Sequence, residues 1–257
     1  MVVFVYSHPK PEMLEHDGLI CAVRKLGWQP YNIAREKRDI VGPSDFLVGW
    51  GPFGGDVDNW LNMYTGKKAL CLSALFQPSD TKYDVIFYET ESAKRFLEEQ
   101  CVTGELVHAF GINTDVYKPM GLPKVWDYIS VGAWNNWHRY EKLAEKKDGL
   151  KLAVGGIMRE NLQQSLSLVV SSVLSGWMAS DEVDAPTLAK LYNMSRKAYL
   201  PAEFGQERAV LEARACGLEV EVEPDNPKLN ELLGSPIWNV DYYAAQLKKG
   251  VEDALRS

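Results

Sequence analysis

Short apolar runs alternate with stretches of helical spacing along the first part of the chain. Residues 2–6, VVFVY, predict a buried strand, and apolar residues at helical spacing over 12–26 predict a helix. Further strands are predicted at 45–50, 69–75, 83–88 and 106–110, and a further helix at 92–100. Because strands and helices alternate, the pattern predicts a parallel sheet covered on both faces.

A proline- and glycine-containing segment, PMGLP at 119–123, interrupts the alternation and predicts a domain boundary. Beyond it, strands are predicted at 127–131, 150–154, 168–174, 197–200 and 218–222, and helices at 137–147, 159–165, 187–193, 206–216 and 241–255. The sequence therefore predicts an α/β chain with Rossmann-like domains at 1–120 and 125–238. The last helix, within 239–257, is expected to return toward the first domain.

Composition narrows the class of protein. The 257 residues are 46% hydrophobic, which is enough for a real core, and the net charge of -7 gives no general attraction to nucleic acid or anionic membranes. The four cysteines lie far apart and are typical of reduced thiols rather than of a disulfide framework or a zinc site. No signal peptide or integral membrane segment is predicted, so a cytoplasmic location is expected.

The stretch PAEFGQERAVLEARACG, at 201–217, predicts a glycine loop that leads into a helix. Such a junction presents backbone N–H groups at the positive end of the helix dipole, where phosphate or carboxylate binds. Gly205, Gln206 and Glu207 lie at this start. One alternative is that Arg208 and Glu212 form only a surface ion pair four residues apart.

The same stretch resembles the donor-binding segment of GT-B glycosyltransferases, in the large retaining group often called family 4. The resemblance implies that Glu212 holds the nucleotide ribose and that a glutamate before it contacts the transferred sugar. Glu203 lies nine residues before Glu212, one more than is usual in the family, so Glu207 is a second candidate for the sugar contact.

Other segments resemble the family in the same order. HAFGINTDVYKP, at 108–119, is similar to the segment that closes the first domain, and YISVGAWNNWHRY, at 128–140, to the opening of the second. In the second segment the resemblance implies that Gly132, His138 and Arg139 lie at the donor diphosphate, and that Trp177 and Met178 lie where the nucleotide base docks.

The resemblance implies two Rossmann-like domains that face each other across a cleft. It also implies transfer of a sugar from a nucleotide-diphospho-sugar, with retention, and with neither a metal nor any cofactor besides that co-substrate. The acceptor could be a polysaccharide, a lipid, a protein or a modified nucleic acid. Two alternatives are a nucleotide-sugar binding protein without catalysis and another sugar-nucleotide enzyme, such as an epimerase.

The first domain offers less chemistry. His8 follows the first strand in a proline-bounded loop and is, with Glu203, a candidate catalytic residue, although a solvated loop histidine is the alternative. The glycine-rich run at 51–55 lacks the spacing of a dinucleotide fingerprint, and the acids Asp56 and Asp58 beside it are typical of a turn. No metal-ligand motif is present in the sequence.

Overall fold

A computed structural model describes residues 1–36, 42, 45–73, 79–100, 102–146, 149–156, 178–180 and 183–257. The chain divides into two compact units, Met1–Gly111 with Trp238–Ser257, and Ile112–Ile237. The sequence places the change of domain at 119–123, whereas residues before it already bond within the second unit. For example, Asn193 Nδ2 donates to the Lys118 carbonyl at 2.9 Å.

The first unit is built on a sheet whose described strands lie in the order β2-β1-β3-β4-β5-β6, all paired in parallel. The strands are β1 (Val2–Tyr6), β2 (Gln29–Asn32), β3 (Phe46–Gly51), β4 (Lys68–Leu72), β5 (Val85–Tyr88) and β6 (Glu105–His108). The helices between them are α1 (Gly18–Lys25), α2 (Asp56–Asn62) and α3 (Glu91–Glu99). Strands β4 and β5 are buried along their whole length, as expected for a sheet covered on both faces.

The second unit has a sheet of the order β11-β10-β7-β8-β9, again with parallel pairs only among the described strands. The strands are β7 (Trp126–Val131), β8 (Lys151–Val154), β9 (Met178–Ser180), β10 (Ser195–Leu200) and β11 (Glu219–Val222). Its helices are α4 (Glu141–Glu145), α5 (Ala185–Asn193), α6 (Glu207–Ala215) and α7 (Pro227–Gly234).

The last helix, α8 (Val240–Arg256), belongs to the first unit. Asn239 caps it by accepting from the Tyr242 N–H at 3.0 Å. One face is buried among the residues of β5, β6 and α1 through Tyr243, Leu247 and Val251. The chain thus leaves the first unit, forms the second, and comes back to complete the first core.

Several predicted elements differ from the structure. The helix predicted at 12–26 is a short 3-10 helix, Pro11–Leu14, followed by α1, because Asp17 caps the helix that starts at Gly18. The helix predicted at 137–147 is likewise divided into a 3-10 turn, Asn136–His138, and α4. The helix at 159–165 and the strand at 168–174 lie outside the described residues.

Within the described residues, no helix is both long and apolar enough to cross a membrane.

Candidate functional site

The carboxyl ends of β7, β8 and β10 form one edge of the second sheet, and glycines bring their backbones close together. Gly132 follows β7 and Gly155 follows β8, and a Cβ on Gly155 would lie 2.0 Å from the Gly132 carbonyl oxygen. The buried Tyr140 hydroxyl donates to that carbonyl at 2.6 Å. Only glycine fits at position 155, because the backbones that follow β7 and β8 approach each other closely there.

Gln206 fixes the loop between β10 and α6 against this edge. Its side-chain Nε2 donates to the Val131 carbonyl at 2.6 Å, and its Oε1 accepts from the Ala202 N–H at 3.1 Å. The backbone of both Gly205 and Gln206 is left-handed, with φ of 81° and 69°. A left-handed glutamine is uncommon and persists because these two hydrogen bonds hold it.

Helix α6 therefore begins at the carboxyl ends of β7, β8 and β10, and the Gln206 hydrogen bonds hold its N-terminus there. Its first backbone bond runs from the Val210 N–H to the Gln206 carbonyl at 3.1 Å, and the Gln206 side chain does not cap the helix. The earlier N–H groups of a helix have no partner within the helix, and the dipole is positive here. An anionic group is thus stabilised at this point.

His138 lies between two of the predicted glycines. A Cβ on Gly132 would come within 2.5 Å of the His138 ring, and a Cβ on Gly205 would lie 3.5 Å from its Nε2. Asn135 orients the ring, since its Oδ1 lies 2.7 Å from His138 Nδ1 and also accepts from the His138 N–H at 3.0 Å. Burial lowers the pKa of His138 to about 4, against the opposing charge of Glu207. The ring is therefore neutral at pH 7.

Arg139 lies beside His138 and is held by two carboxylates. Its guanidinium lies 3.1 Å from Glu203 and 2.6 Å from Asp225, on the loops that follow β10 and β11. Its backbone is left-handed, with φ of 49°. The hydrogen bond from Arg139 lowers the pKa of Asp225. Two of the predicted residues, Arg139 and Glu203, are thus in direct contact with each other.

Glu207 points into the protein. Its carboxylate forms an ion pair with Lys228 of α7, and both side chains are buried. A buried charge is costly without an opposite charge beside it, and Glu207 and Lys228 neutralise each other. The geometry gives Glu207 a structural contact and leaves Glu203 as the more exposed glutamate of the two candidates for the sugar.

Glu212 is also directed inward. Burial raises the pKa of Glu212, while Arg208 and a hydrogen bond from Tyr117 oppose that rise. Tyr117 belongs to the segment after the first unit and packs edge-on against Tyr192 of α5 at 6.3 Å. A ribose contact by Glu212 therefore requires the carboxylate to keep or exchange its tyrosine partner.

Met178 and His8 are two further predicted residues that the structure describes, each in its own surroundings. Met178 is the first residue of β9, where it pairs with Leu152, so it lies at the amino end of that outer strand and not at its carboxyl end. Trp177 lies outside the described residues. His8 is in the first unit, and its Nδ1 accepts from the Lys10 N–H of its own loop at 3.1 Å. The structure thus brings together Gly132, His138, Arg139, Glu203, Gly205 and Gln206.

Sequence reasoning missed the contacts that hold this cluster. The hydrogen bond from Gln206 to the Val131 carbonyl and the Arg139–Asp225 ion pair join positions far apart in the sequence, and the Tyr140 hydroxyl bonds the Gly132 carbonyl across a turn. The sequence signal for Gln206 was its position next to Gly205; Asp225 had no comparable signal. Over the described ranges, no group of three or more His, Cys, Asp or Glu side chains is placed to hold a metal ion.

This chain is similar to known proteins in its structure. No protein-family model matches the chain, and no curated protein matches it. HepE from Anabaena, solved with UDP and glucose, superposes with a TM-score of 0.67 at 9% identity and covers 98% of this chain and 99% of its own.

Two further solved structures give the same architecture. Sucrose-phosphate synthase from Thermosynechococcus elongatus has a TM-score of 0.62 at 12% identity and covers 99% of this chain and 91% of its own. A glycosyltransferase from Rickettsia africae has a TM-score of 0.56 at 12% identity, over 98% and 88% of the two chains. The chain therefore has the GT-B fold, and the predicted fold class of two Rossmann-like domains is confirmed.

Proposed function

We propose that this chain is a glycosyltransferase that binds a nucleotide-diphospho-sugar at the start of α6 and transfers its sugar to an acceptor. The observation that carries the proposal is the anchored N-terminus of α6 beside Gly132, with the left-handed pair Gly205 and Gln206 leading into it. The GT-B fold supports the same class, because HepE, which shares the fold, was solved with UDP and glucose.

In the proposed reaction the bond between the anomeric carbon and the phosphate oxygen breaks. The leaving nucleoside diphosphate takes the electron pair, and the acceptor oxygen bonds to the sugar as its proton passes to the departing phosphate oxygen. The dipole of α6 and the guanidinium of Arg139 oppose the charge that develops on the diphosphate. His138 presents a neutral ring beside Gly205, so it shapes this site without adding charge.

Three finer features belong to the same proposal. Stabilisation by a helix dipole and a guanidinium makes a metal unnecessary for the leaving group, and the proposal includes metal independence and no further cofactor. It also includes retention at the anomeric carbon, which follows from the family resemblance. Glu203 is the proposed contact to the sugar, because it lies at the strand edge next to Arg139 and is about half exposed.

Binding of UDP, GDP and dTDP, measured by thermal shift and calorimetry, tests the donor site. We expect Arg139→Ala to weaken the affinity for the preferred nucleotide by about tenfold or more, because a charge-assisted bond to phosphate is lost. Arg196→Ala is the matched control, since Arg196 pairs with Asp127 at 3.2 Å near the amino end of β10. Equal affinities of the two variants would contradict the assignment.

One observation favours nucleotide-sugar binding without transfer as a second candidate. Arg139 and the nearby Lys142 are both neutralised by acids, Lys142 by Glu223, so the positive charge at the edge is reduced. Incubation with UDP-sugars separates the two functions. Release of free UDP, with or without an added acceptor, supports the transferase, and tight binding with the sugar intact supports the alternative.

A further inference from the structure

The first unit contains a cavity that the proposed donor site does not use. It has a volume of about 710 Å³ and is lined by Ser7, Ile33, Ala34, Glu36, Asp56, Asn59, Trp60 and Met63. Ser7 follows β1, and Ile33 follows β2, so the cavity opens at the carboxyl ends of these two strands. Ligands in α/β proteins commonly bind at such ends. Every lining residue belongs to the first unit.

One face of helix α2 forms a wall of this cavity. Asp56, Asn59, Trp60 and Met63 are spaced at three and four residues, so they lie side by side along the helix. Trp60 and Met63 make the apolar part of the wall. The Trp60 indole is steadied by the fully buried Tyr31 ring, with centroids 5.7 Å apart.

The opposite wall is formed by two loops that the buried Asn32 joins. Its Nδ2 donates to the His8 carbonyl at 2.8 Å, and its Oδ1 accepts from the His8 N–H at 3.2 Å. The Asn32 N–H in turn donates to Glu36 Oε1 at 3.0 Å, which orients the Glu36 carboxylate. These bonds preform the wall, and a preformed cavity loses less entropy when a ligand binds.

The lining combines a flat apolar surface with acceptors for hydroxyl hydrogens. A carboxylate accepts hydrogen bonds from neighbouring hydroxyls, and Glu36 and Asp56 are both exposed. Asn59 and Ser7 add an amide and a hydroxyl. An aliphatic chain would leave these polar groups unsatisfied, and an anionic ligand would be repelled by the two acids. A pyranose ring has the matching chemistry, with C–H groups on one face and hydroxyls at its edge.

We propose that this cavity binds a neutral pyranose unit, with the ring over Trp60 and Met63 and its hydroxyls donating to Glu36 and Asp56. The volume lies in the range of small-molecule sites and is sufficient for a mono- or disaccharide. Its role as the acceptor site, which would make the acceptor a saccharide, rests on the proposed function. The proposal that the cavity binds a sugar does not depend on the proposed function.

Calorimetry with methyl α-D-glucopyranoside and maltose tests the proposal, together with the indole N–H signals in NMR spectra. We expect the wild-type protein to bind at least one of them and a single indole signal to shift. The signal is assigned to Trp60 by its absence in Trp60→Phe, which keeps an aromatic ring and the packing on Tyr31. Methyl α-D-glucuronoside, the anionic counterpart, should bind more weakly because of the two carboxylates.

Met63→Glu is the decisive variant, because Met63 is 58% exposed and its replacement places a third acid in the cavity without disturbing the core. We expect it to weaken sugar binding by about tenfold or more, because a charged group replaces the apolar surface under the ring, and to leave UDP affinity unchanged. Leu255→Glu is the matched control, as Leu255 is 56% exposed and lies on α8, away from the cavity lining.

The outcomes separate this proposal from the proposed function. The absence of binding by both neutral sugars, equal binding of the glucuronoside, or equal sugar affinity of Met63→Glu and Leu255→Glu would each overturn the sugar site. If the sugars bind as expected and no nucleotide does, the proposed function fails and the sugar site stands.

Discussion

Two carboxylates compete with any phosphate for Arg139. Glu203 and Asp225 both contact the guanidinium of Arg139, whose side chain is only 17% exposed, so a diphosphate that binds there has to displace at least one of them. Charge-assisted bonds of this kind contribute more than neutral hydrogen bonds. If the donor binds as proposed, its affinity depends on the difference between phosphate and carboxylate as partners of Arg139.

We accordingly expect Asp225→Asn to tighten nucleotide binding. The neutral amide competes less well for Arg139, and an affinity gain of several-fold is expected in calorimetry with UDP. Glu219→Gln is the control, because Glu219 pairs with Lys197 at 2.9 Å at the start of β11. Weaker binding of Asp225→Asn than of the control would mean that Arg139 does not receive the phosphate.

His138 gives a second test at the residue scale, because its pKa differs between the folded and unfolded states. The folded pKa is lowered to about 4 from an ordinary value of 6.5, so only the unfolded chain takes up this proton between those values. Stability from this residue is complete above pH 6.5 and is lost as the pH falls toward 4. The slope is at most about 1.4 kcal/mol per pH unit.

Urea unfolding at several pH values between 4 and 7 measures this contribution. We expect the wild-type protein to lose more stability over that window than His138→Asn, whose amide does not titrate. The same slope in both proteins would show that the His138 ring is charged in the folded state or exposed to water.

The sequence indicated the positions of this cluster but not the state of its side chains. Gly132, Gly205 and the start of α6 were predictable because glycines and helix starts leave local signals. The inward direction of Glu207 and Glu212 could not be predicted, because their partners Lys228 and Tyr117 come from other segments of the chain. Their predicted contacts to the donor remain predictions.

At the scale of elements, the starts of α6 and α7 are joined by the Glu207–Lys228 ion pair. Lys228 lies in the first turn of α7, where the helix dipole disfavours a cation, so the buried Glu207 offsets both the dipole and the loss of water. We expect Lys228→Met alone to destabilise the protein by about 3–5 kcal/mol, because it leaves a buried carboxylate without its partner.

The double variant Lys228→Met with Glu207→Gln should recover much of this loss, because no buried charge remains. Chemical denaturation of the two single variants and the double variant measures the coupling. Additive losses in the double variant would show that Glu207 and Lys228 do not depend on each other.

A row of ion pairs connects β11 and the residue after it to lysines in α4, at the C-terminal end of α4 and in β10. Glu219, Glu221 and Glu223 alternate along the strand, so their side chains share one face. Lys197 pairs with Glu219, Lys146 pairs with Glu221 at 2.6 Å, and Lys142 pairs with Glu223. Lys146 also lies 4.2 Å above the Tyr199 ring. The alternating acids of EVEVE thus hold the helix as well as the strand.

This row predicts a second pH effect, in a different window from that of His138. Hydrogen bonds from Lys142 and Tyr199 lower the pKa of Glu223 below its ordinary value of 4.5. Its contribution to stability is present above pH 4.5 and is lost as the pH falls through the lowered value. In urea unfolding, Glu223→Gln should be less stable than wild type at pH 6 and approach it below pH 4.

Strand β2 and helices α7 and α2 were not predicted from the sequence. Strand β2, QPYN, has four residues and a proline, which is little evidence for a strand. Helix α7 was not predicted, although Asn226 followed by Pro227 is a signal for a helix start, and Asn226 accepts from the Leu229 N–H at 3.3 Å. Helix α2 directly follows a glycine-rich run, and such a run predicts a turn for its acids Asp56 and Asp58 instead of a helix start.

At the scale of the whole molecule, the first unit is discontinuous in sequence and depends on α8. Gly250 packs against β5, where an added Cβ would meet the buried Phe87 ring at 2.7 Å. A larger side chain would push the helix from the sheet. Overpacking of this kind typically costs about 1–3 kcal/mol. The cost should fall on the first unit, which contains both Gly250 and Phe87.

We therefore expect Gly250→Leu to lower the unfolding temperature of the first unit and to leave UDP binding by the second unit intact. Lys248→Leu is the control, because the Lys248 side chain is 61% exposed on the same helix. Calorimetric unfolding with and without UDP distinguishes the units, since a ligand stabilises only the part that binds it. If Gly250→Leu abolishes UDP binding while Lys248→Leu retains it, the nucleotide site depends on the first unit, and the second unit alone does not carry the donor chemistry.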